Sequence, residues 1–217
     1  MKKLFVFLTV LTMIGLYCPA LAETADAAET EYTTYANITF GYHVDYPSGW
    51  ILMDQETLDD YIRQMADGEQ AIEGMSASAL DTMQLAMASA PEDGLVEFFD
   101  SLGNTITVSC SSFATPDSLE LANSGISPMM IAYYETLFID TEVLDGGSIT
   151  AYGDKEYLQL VFQATIDNTV CTQTLLYYFQ NDIAYAFCFT WVSTNAESLQ
   201  ELEKILETVM NSFALET

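Results

Sequence analysis

Between residues 38 and 46 apolar and polar side chains alternate, with Ile38, Phe40, Tyr42, Val44 and Tyr46 set against Thr39, Gly41, His43 and Asp45. A period of two predicts a half-buried strand. Tyr46-Pro47-Ser48-Gly49 suits a type I turn, with Pro second and Gly fourth, and Trp50 to Met53 resumes an extended run. The period then lengthens. Leu58, Tyr61, Ile62 and Met65 recur at helical spacing within Asp54 to Asp67, and Asp54, Glu56, Asp59 and Asp60 suit the positive end of that helix. Ser76 to Ala90 predicts a second helix with Leu80, Met83 and Met87 on one face, ended by Pro91. Leu95 to Phe99 and Thr105 to Phe113 return to strand. The second of these points Ile106, Val108 and Cys110 inward and Thr105, Thr107, Ser109 and Ser111 outward.

Thr115-Pro116 opens a short helix that Gly125 breaks, and Ser127-Pro128 opens a more apolar one through Phe138. The remainder is rich in strands: 141 to 144, 148 to 152, 157 to 166, 169 to 179 and 183 to 192. Turn residues separate them at Asp145-Gly146-Gly147, Gly153-Asp154-Lys155, Asp167-Asn168 and Asn181-Asp182. Thr194-Asn195-Ala196-Glu197 has the capping-box form, and the closing helix carries Leu199, Leu202, Ile205, Leu206, Val209 and Phe213 on one face. Residues 23 to 36 lack periodicity and read as a flexible acidic leader. No linker divides residues 37 to 217, so they form one α+β domain of about 180 residues.

This order resembles the PsbP-like family, named for an extrinsic protein of photosystem II. The likeness is carried by Phe40-Gly41-Tyr42-His43-Val44-Asp45-Tyr46-Pro47-Ser48-Gly49-Trp50, by the late antiparallel meander, and by a terminal helix ending Met210-Asn211-Ser212-Phe213. It covers residues 37 to 53 and 140 to 213 and leaves the segment at about 54 to 93 as a helical insertion. The resemblance implies an antiparallel β-sheet with helices packed on both faces, an αβα sandwich. It also implies an exported bacterial protein. These motifs build a core rather than a site: Pro and Gly serve the turn, while Trp and Tyr fill the interface between sheet and helix.

Charge changes the picture of partners. The 217 residues hold 5 Lys+Arg against 32 Asp+Glu, a net charge of -27, which repels phosphate and excludes nucleic acid. Lys2 and Lys3, the apolar run from Leu4 to Leu16 and Ala20-Leu21-Ala22 form a secretory signal of residues 1 to 22, cleaved after Ala22. The run is too short for a transmembrane helix, which takes about 20 residues, and no later segment is apolar enough to span. The plain export signal, where a plastid protein would carry a transit peptide, keeps the photosynthetic role from being carried over. Cleavage leaves Cys110, Cys171 and Cys188 in apolar strands, where they read as core residues. Cys171 and Cys188 make a poor disulfide pair, because closure at Asn181-Asp182 sets Cys188 against Leu175.

Candidate chemistry is sparse. His43 is the single histidine, it falls on the polar face of its strand, and no nucleophile elbow, phosphate loop or zinc spacing accompanies it. Carboxylates at Asp54/Glu56/Asp59/Asp60, Glu92/Asp93 and Asp140/Glu142/Asp145 offer hard oxygen ligands, but none lies in a calcium loop. The expectation is no cofactor, with at most weak calcium binding. Five methionines (Met53, Met65, Met75, Met83 and Met87) crowd residues 53 to 87, so the faces Leu58, Tyr61, Ile62, Met65 and Leu80, Met83, Met87 are the expected partner-binding surface. The sequence therefore points to a secreted, non-enzymatic binding or accessory module for a protein or cell-envelope partner. The alternative is an extracytoplasmic calcium-dependent or carboxylate-based hydrolase, which would need two close carboxylates with separated pKa values.

Overall fold

The computed structural model describes residues 30–53, 94–100, 102–137, 140–166, 169–192 and 196–216. The secretory signal, the two expected helices between 54 and 93 and the partner-binding face assigned to them lie outside these residues. Ten strands and two helices follow in the order β1 (Tyr32–Asn37), β2 (Tyr42–Pro47), β3 (Ile51–Met53), β4 (Val96–Phe99), β5 (Thr105–Ser112), α1 (Leu119–Leu137), β6 (Glu142–Tyr152), β7 (Lys155–Ile166), β8 (Thr169–Gln180), β9 (Ile183–Val192), α2 (Ala196–Ser212) and β10 (Ala214–Leu215). The fold is α+β and mostly antiparallel sheet. A seven-stranded sheet runs β3-β4-β5-β9-β8-β7-β6, and a three-stranded one runs β1-β2-β10.

The meander matches its sequence pattern closely. Asn181 and Asp182 both take positive φ, 55° and 58°, as a two-residue hairpin loop between right-twisted strands requires. The resulting register sets Leu175 opposite Cys188 and Cys171 opposite Val192, so the last two cysteines do not face each other. All three cysteines are buried. Burial pushes the Cys171 thiol up to about 11, and the thiols of Cys110 and Cys188 higher still.

Alternation in β9 divides the core into two clusters. Tyr185, Phe187, Phe189 and Trp191 pack with Tyr42 and Val44 of β2 and with Leu202, Ile205, Leu206, Val209, Met210 and Phe213 at the end of the chain. Ala186 and Cys188 point the other way. They join Leu158, Leu160 and Phe162 of β7, Leu175 and Tyr177 of β8, and the α1 stripe Ala122, Ile126, Met130 and Tyr134. Phe213 packs edge-on to Phe187 at 4.9 Å between ring centroids, and Tyr134 stacks on Phe162 at 4.0 Å.

Several expectations need correction. The leader was expected to run to residue 36, but Tyr32–Asn37 is a strand paired along all of β2. Its Tyr35 packs edge-on to Phe98 at 5.6 Å, and that contact draws the segment onto the core. Ile38 is 88% exposed because residues 38 to 41 form the β1–β2 turn rather than continuing the strand. The turn after β2 closes one residue late, with Trp50 N–H donating to the Pro47 carbonyl at 2.9 Å. α1 is one helix. Ser118 caps its start, accepting from Leu121 N–H at 3.2 Å, and Gly125 and Pro128 both lie inside it. An internal Pro costs about 3 kcal/mol and an internal Gly about 1. Burial of four side chains spaced four apart outweighs both. The two short strands before Tyr152 are likewise one, β6, with register shifts at Asp145 and before Ser148. β10 adds a pair of residues to β2 that no sequence period announces.

Candidate functional site

A groove of about 600 Å³ lies between α1 and the irregular part of β6, lined by Glu120, Asn123, Ser127, Pro128, Ile131 and Gly146 among others. The sequence builds it with small residues and a proline. Gly147 has φ +126°, and a Cβ there would overlap Asn123 Oδ1 and Ser127 Oγ, so only glycine lets helix and strand approach this closely. Asn123 Nδ2 donates to the Gly147 carbonyl at 3.0 Å, and Ser127 Oγ donates to Asn123 Oδ1 at 2.6 Å. Below them Asp145 organises the irregular strand. Its carboxylate accepts from Gly147 N–H at 3.0 Å, from the Ser148 hydroxyl at 2.5 Å and from Gln159 Nε2 at 3.2 Å.

The groove combines apolar lining from Pro128, Ile131 and Ala132 with acceptors at its ends. Pro128 has no N–H, so the carbonyl of Ser124, itself in the lining, loses its helical donor. Glu120 and Glu135 stand on the rim. Glu120 is held below the usual carboxylate range, first by its own backbone N–H and then by the Ser118 side chain. The arrangement suits a cationic or hydrogen-bond-donating group. Sequence reasoning misses it because Gly125 reads as the end of one helix, Ser127-Pro128 as the start of another, and Gly146-Gly147 as an ordinary turn. The available signal was a glycine pair following an aspartate that had nothing to cap.

Residues singled out for chemistry are not gathered here. His43 lies on β2 opposite Ala36 and Ala214, neither of which offers a side-chain hydrogen-bond partner. Asp45 accepts from the Thr34 hydroxyl at 2.6 Å, an exposed contact across the β1–β2 pair. Among the described residues no three His, Cys, Asp or Glu side chains come together as a metal-binding group. Of the carboxylates considered for calcium, Asp145 serves the strand irregularity just described. Among the described residues no helix is long and apolar enough to cross a membrane. The face Leu58, Tyr61, Ile62, Met65, Leu80, Met83 and Met87 lies outside them.

The outward face expected for β5 is buried instead. Thr105, Thr107 and Ser109 are fully inaccessible, as are Ile106, Val108 and Cys110 on the other side. Glu97 of β4, opposite Thr107, is 1% exposed. Burial pushes its carboxyl up to about 8. A period-two pattern says which side chains share a face but not whether that face is wet.

The sequence matches no protein-family model, and no curated protein matches it. Solved structures do resemble it. Cyanobacterial PsbP (CyanoP) from Synechocystis is similar with a TM-score of 0.53 at 14% identity, over 90% of this chain and 98% of that one. The Ran-binding protein Mog1p of Saccharomyces cerevisiae is similar at 0.47 and 8% identity, over 86% of this chain and 96% of that one. A Bacteroides thetaiotaomicron protein is similar at 0.47 and 11% identity, over 85% of this chain but 48% of its own length. The first of these likenesses establishes the fold as PsbP-like, and at such identity it speaks to fold alone.

Proposed function

Starting from this PsbP-like fold, we propose that the chain is an exported, acidic, non-enzymatic binding or accessory domain whose partner is a protein or cell-envelope component. In this reading α1 and α2 cover opposite faces of the seven-stranded sheet as an αβα sandwich, which leaves the α1–β6 groove as the docking seat. Two observations support the reading: Glu120 and Glu135 line the groove, and Pro128 removes the N–H that would otherwise bond the Ser124 carbonyl. The net charge of -27 favours a basic occupant and steers it in. The occupant we assign is an extended segment of the partner that places a Lys or Arg side chain against the Ser124 carbonyl between Glu120 and Glu135.

Titration of the isotope-labelled mature protein with short Lys- and Arg-containing peptides at about 0.15 M salt tests this. Saturable amide shifts should centre on Ser124, Ser127, Ile131 and Gly146. Glu120→Gln with Glu135→Gln should weaken binding about tenfold. Shifts spread evenly over the acidic surface, or an unchanged affinity in the double variant, would remove the groove as the seat.

A further inference from the structure

Strand β5 lies at the centre of a second, fully buried polar surface, distinct from the groove. Its register sets Thr107 between Glu97 of β4 and Cys188 of β9. One pair along, Thr105 lies between Phe99 and Thr190, with Gln173 of β8 next beyond. Directly opposed residues share a face, with Cβ atoms about 5 Å apart. Glu97, Thr105, Thr107, Gln173 and Thr190 are each at most 1% exposed. One hydrogen bond joins two of them, from Gln173 Nε2 to Thr190 Oγ1 at 3.2 Å. Both carboxylate oxygens of Glu97, the hydroxyls of Thr105 and Thr107, and Gln173 Oε1 find no hydrogen-bond partner among the described residues.

An unsatisfied buried polar atom costs about 1–3 kcal/mol, and a charged one more, so folded proteins pair such atoms with a neighbour, an ion or water. The atoms left over here are all oxygens. The amide oxygen and an ionised carboxylate only accept, and hydroxyls can turn their lone pairs inward. An all-oxygen set of this kind suits a hard cation. Charge balance then fixes the valence. Glu97 is the single acid on this patch among the described residues, and a buried net charge is costly, so one positive charge neutralises the site and two would not. The described lysines are elsewhere: Lys155 pairs with Asp154, and Lys204 is exposed on α2.

We propose that Glu97, Thr105 and Thr107 line an internal site for a small monovalent cation, an alkali-metal ion or ammonium, held by one carboxylate and the neighbouring hydroxyl oxygens. The ion clamps β4 to β5, where Glu97, Thr105 and Thr107 make no side-chain hydrogen bond among the described residues. Melting the mature protein in sodium, potassium, ammonium and choline chlorides at equal ionic strength tests the site. All four salts relieve the repulsion within an acidic chain alike, but choline is too bulky for a closed oxygen cage. At about pH 8 one small cation should raise the melting temperature by several degrees beyond choline, saturating with concentration. Ammonium alone doing so identifies an amine-type ion; sodium or potassium doing so identifies an alkali ion.

Glu97→Gln should abolish the excess, and Thr107→Val should raise the half-saturating concentration about tenfold. Identical melting in all four salts would overturn the proposal and leave a protonated Glu97 among buried waters. An excess that survives in Glu97→Gln would overturn it too. If that variant does not fold, an unchanged half-saturation in Thr107→Val does the same.

Discussion

The face of the seven-stranded sheet that carries Tyr177 and Cys188 has two halves of opposite character. Over β7 and β8 it is apolar: Leu158, Leu160, Phe162, Leu175 and Tyr177 meet the α1 stripe. Over β4, β5 and the end of β9 it is polar, with Glu97, Thr105, Thr107, Ser109 and Thr190 as deeply buried as any leucine. The apolar half is stabilised by burial itself at about 25 cal/mol per Å², with the Tyr177 hydroxyl a buried polar atom that has no hydrogen-bond partner among the described residues. The polar half is not, because its oxygens gain nothing from leaving water unless each finds a partner. Equal burial therefore means packing in one half and an unmet demand for a ligand in the other.

The largest test breaks the apolar half. Phe162 lies under Tyr134, ring on ring, and Phe162→Ala should cost about 3–5 kcal/mol in chemical denaturation through the cavity it leaves. A loss below about 1 kcal/mol would mean that this half is no better satisfied than its neighbour.

Acid titration sharpens the polar half. Glu97 keeps its proton in the folded state up to about 8, whereas its ordinary value is 4.5. The folded chain thus binds the proton more tightly, and that contribution is complete below pH 4.5 and lost as pH rises through about 8. In choline chloride the wild type should lose more stability than Glu97→Gln across this window, and the variant should be the more stable at its upper end. Whole-chain repulsion acts on both proteins, so their difference isolates the one carboxyl. Parallel curves would show that Glu97 already has its counter-charge within the protein.

The smallest expected effect concerns the seat of α1. Gly147→Ala introduces a Cβ at positive φ against Asn123 and Ser127, and should cost about 1–3 kcal/mol. The Asn123 and Ser127 resonances should move while the β4–β5 amides stay in place. Disturbance reaching Glu97 would show that the two halves are coupled.

Some of this was legible one residue at a time. The meander, its Asn181-Asp182 loop and the terminal helix follow from period and turn chemistry, because each is settled by neighbours within one strand or one helical turn. The break expected at Gly125 and Pro128 failed for a reason no local reading contains. The cost of both residues is offset by four side chains that find their partners on β7 and β8, strands that begin 18 and 32 residues after the helix ends. The groove is invisible for the same reason, since Gly146 and Gly147 matter only once α1 lies on them.

By itself, then, the sequence determined the acidity, the strand order of the meander, the alternation within each strand and the three cysteines in apolar settings. The tertiary structure alone decided that Thr105, Thr107 and Ser109 are dry, that Tyr32–Asn37 is a strand, and that α1 runs unbroken. Periodicity assigns a side chain to a face through geometry local to the backbone. Whether that face meets water, another sheet or a helix is set by contacts between residues far apart in the chain, and those contacts carry most of the energy.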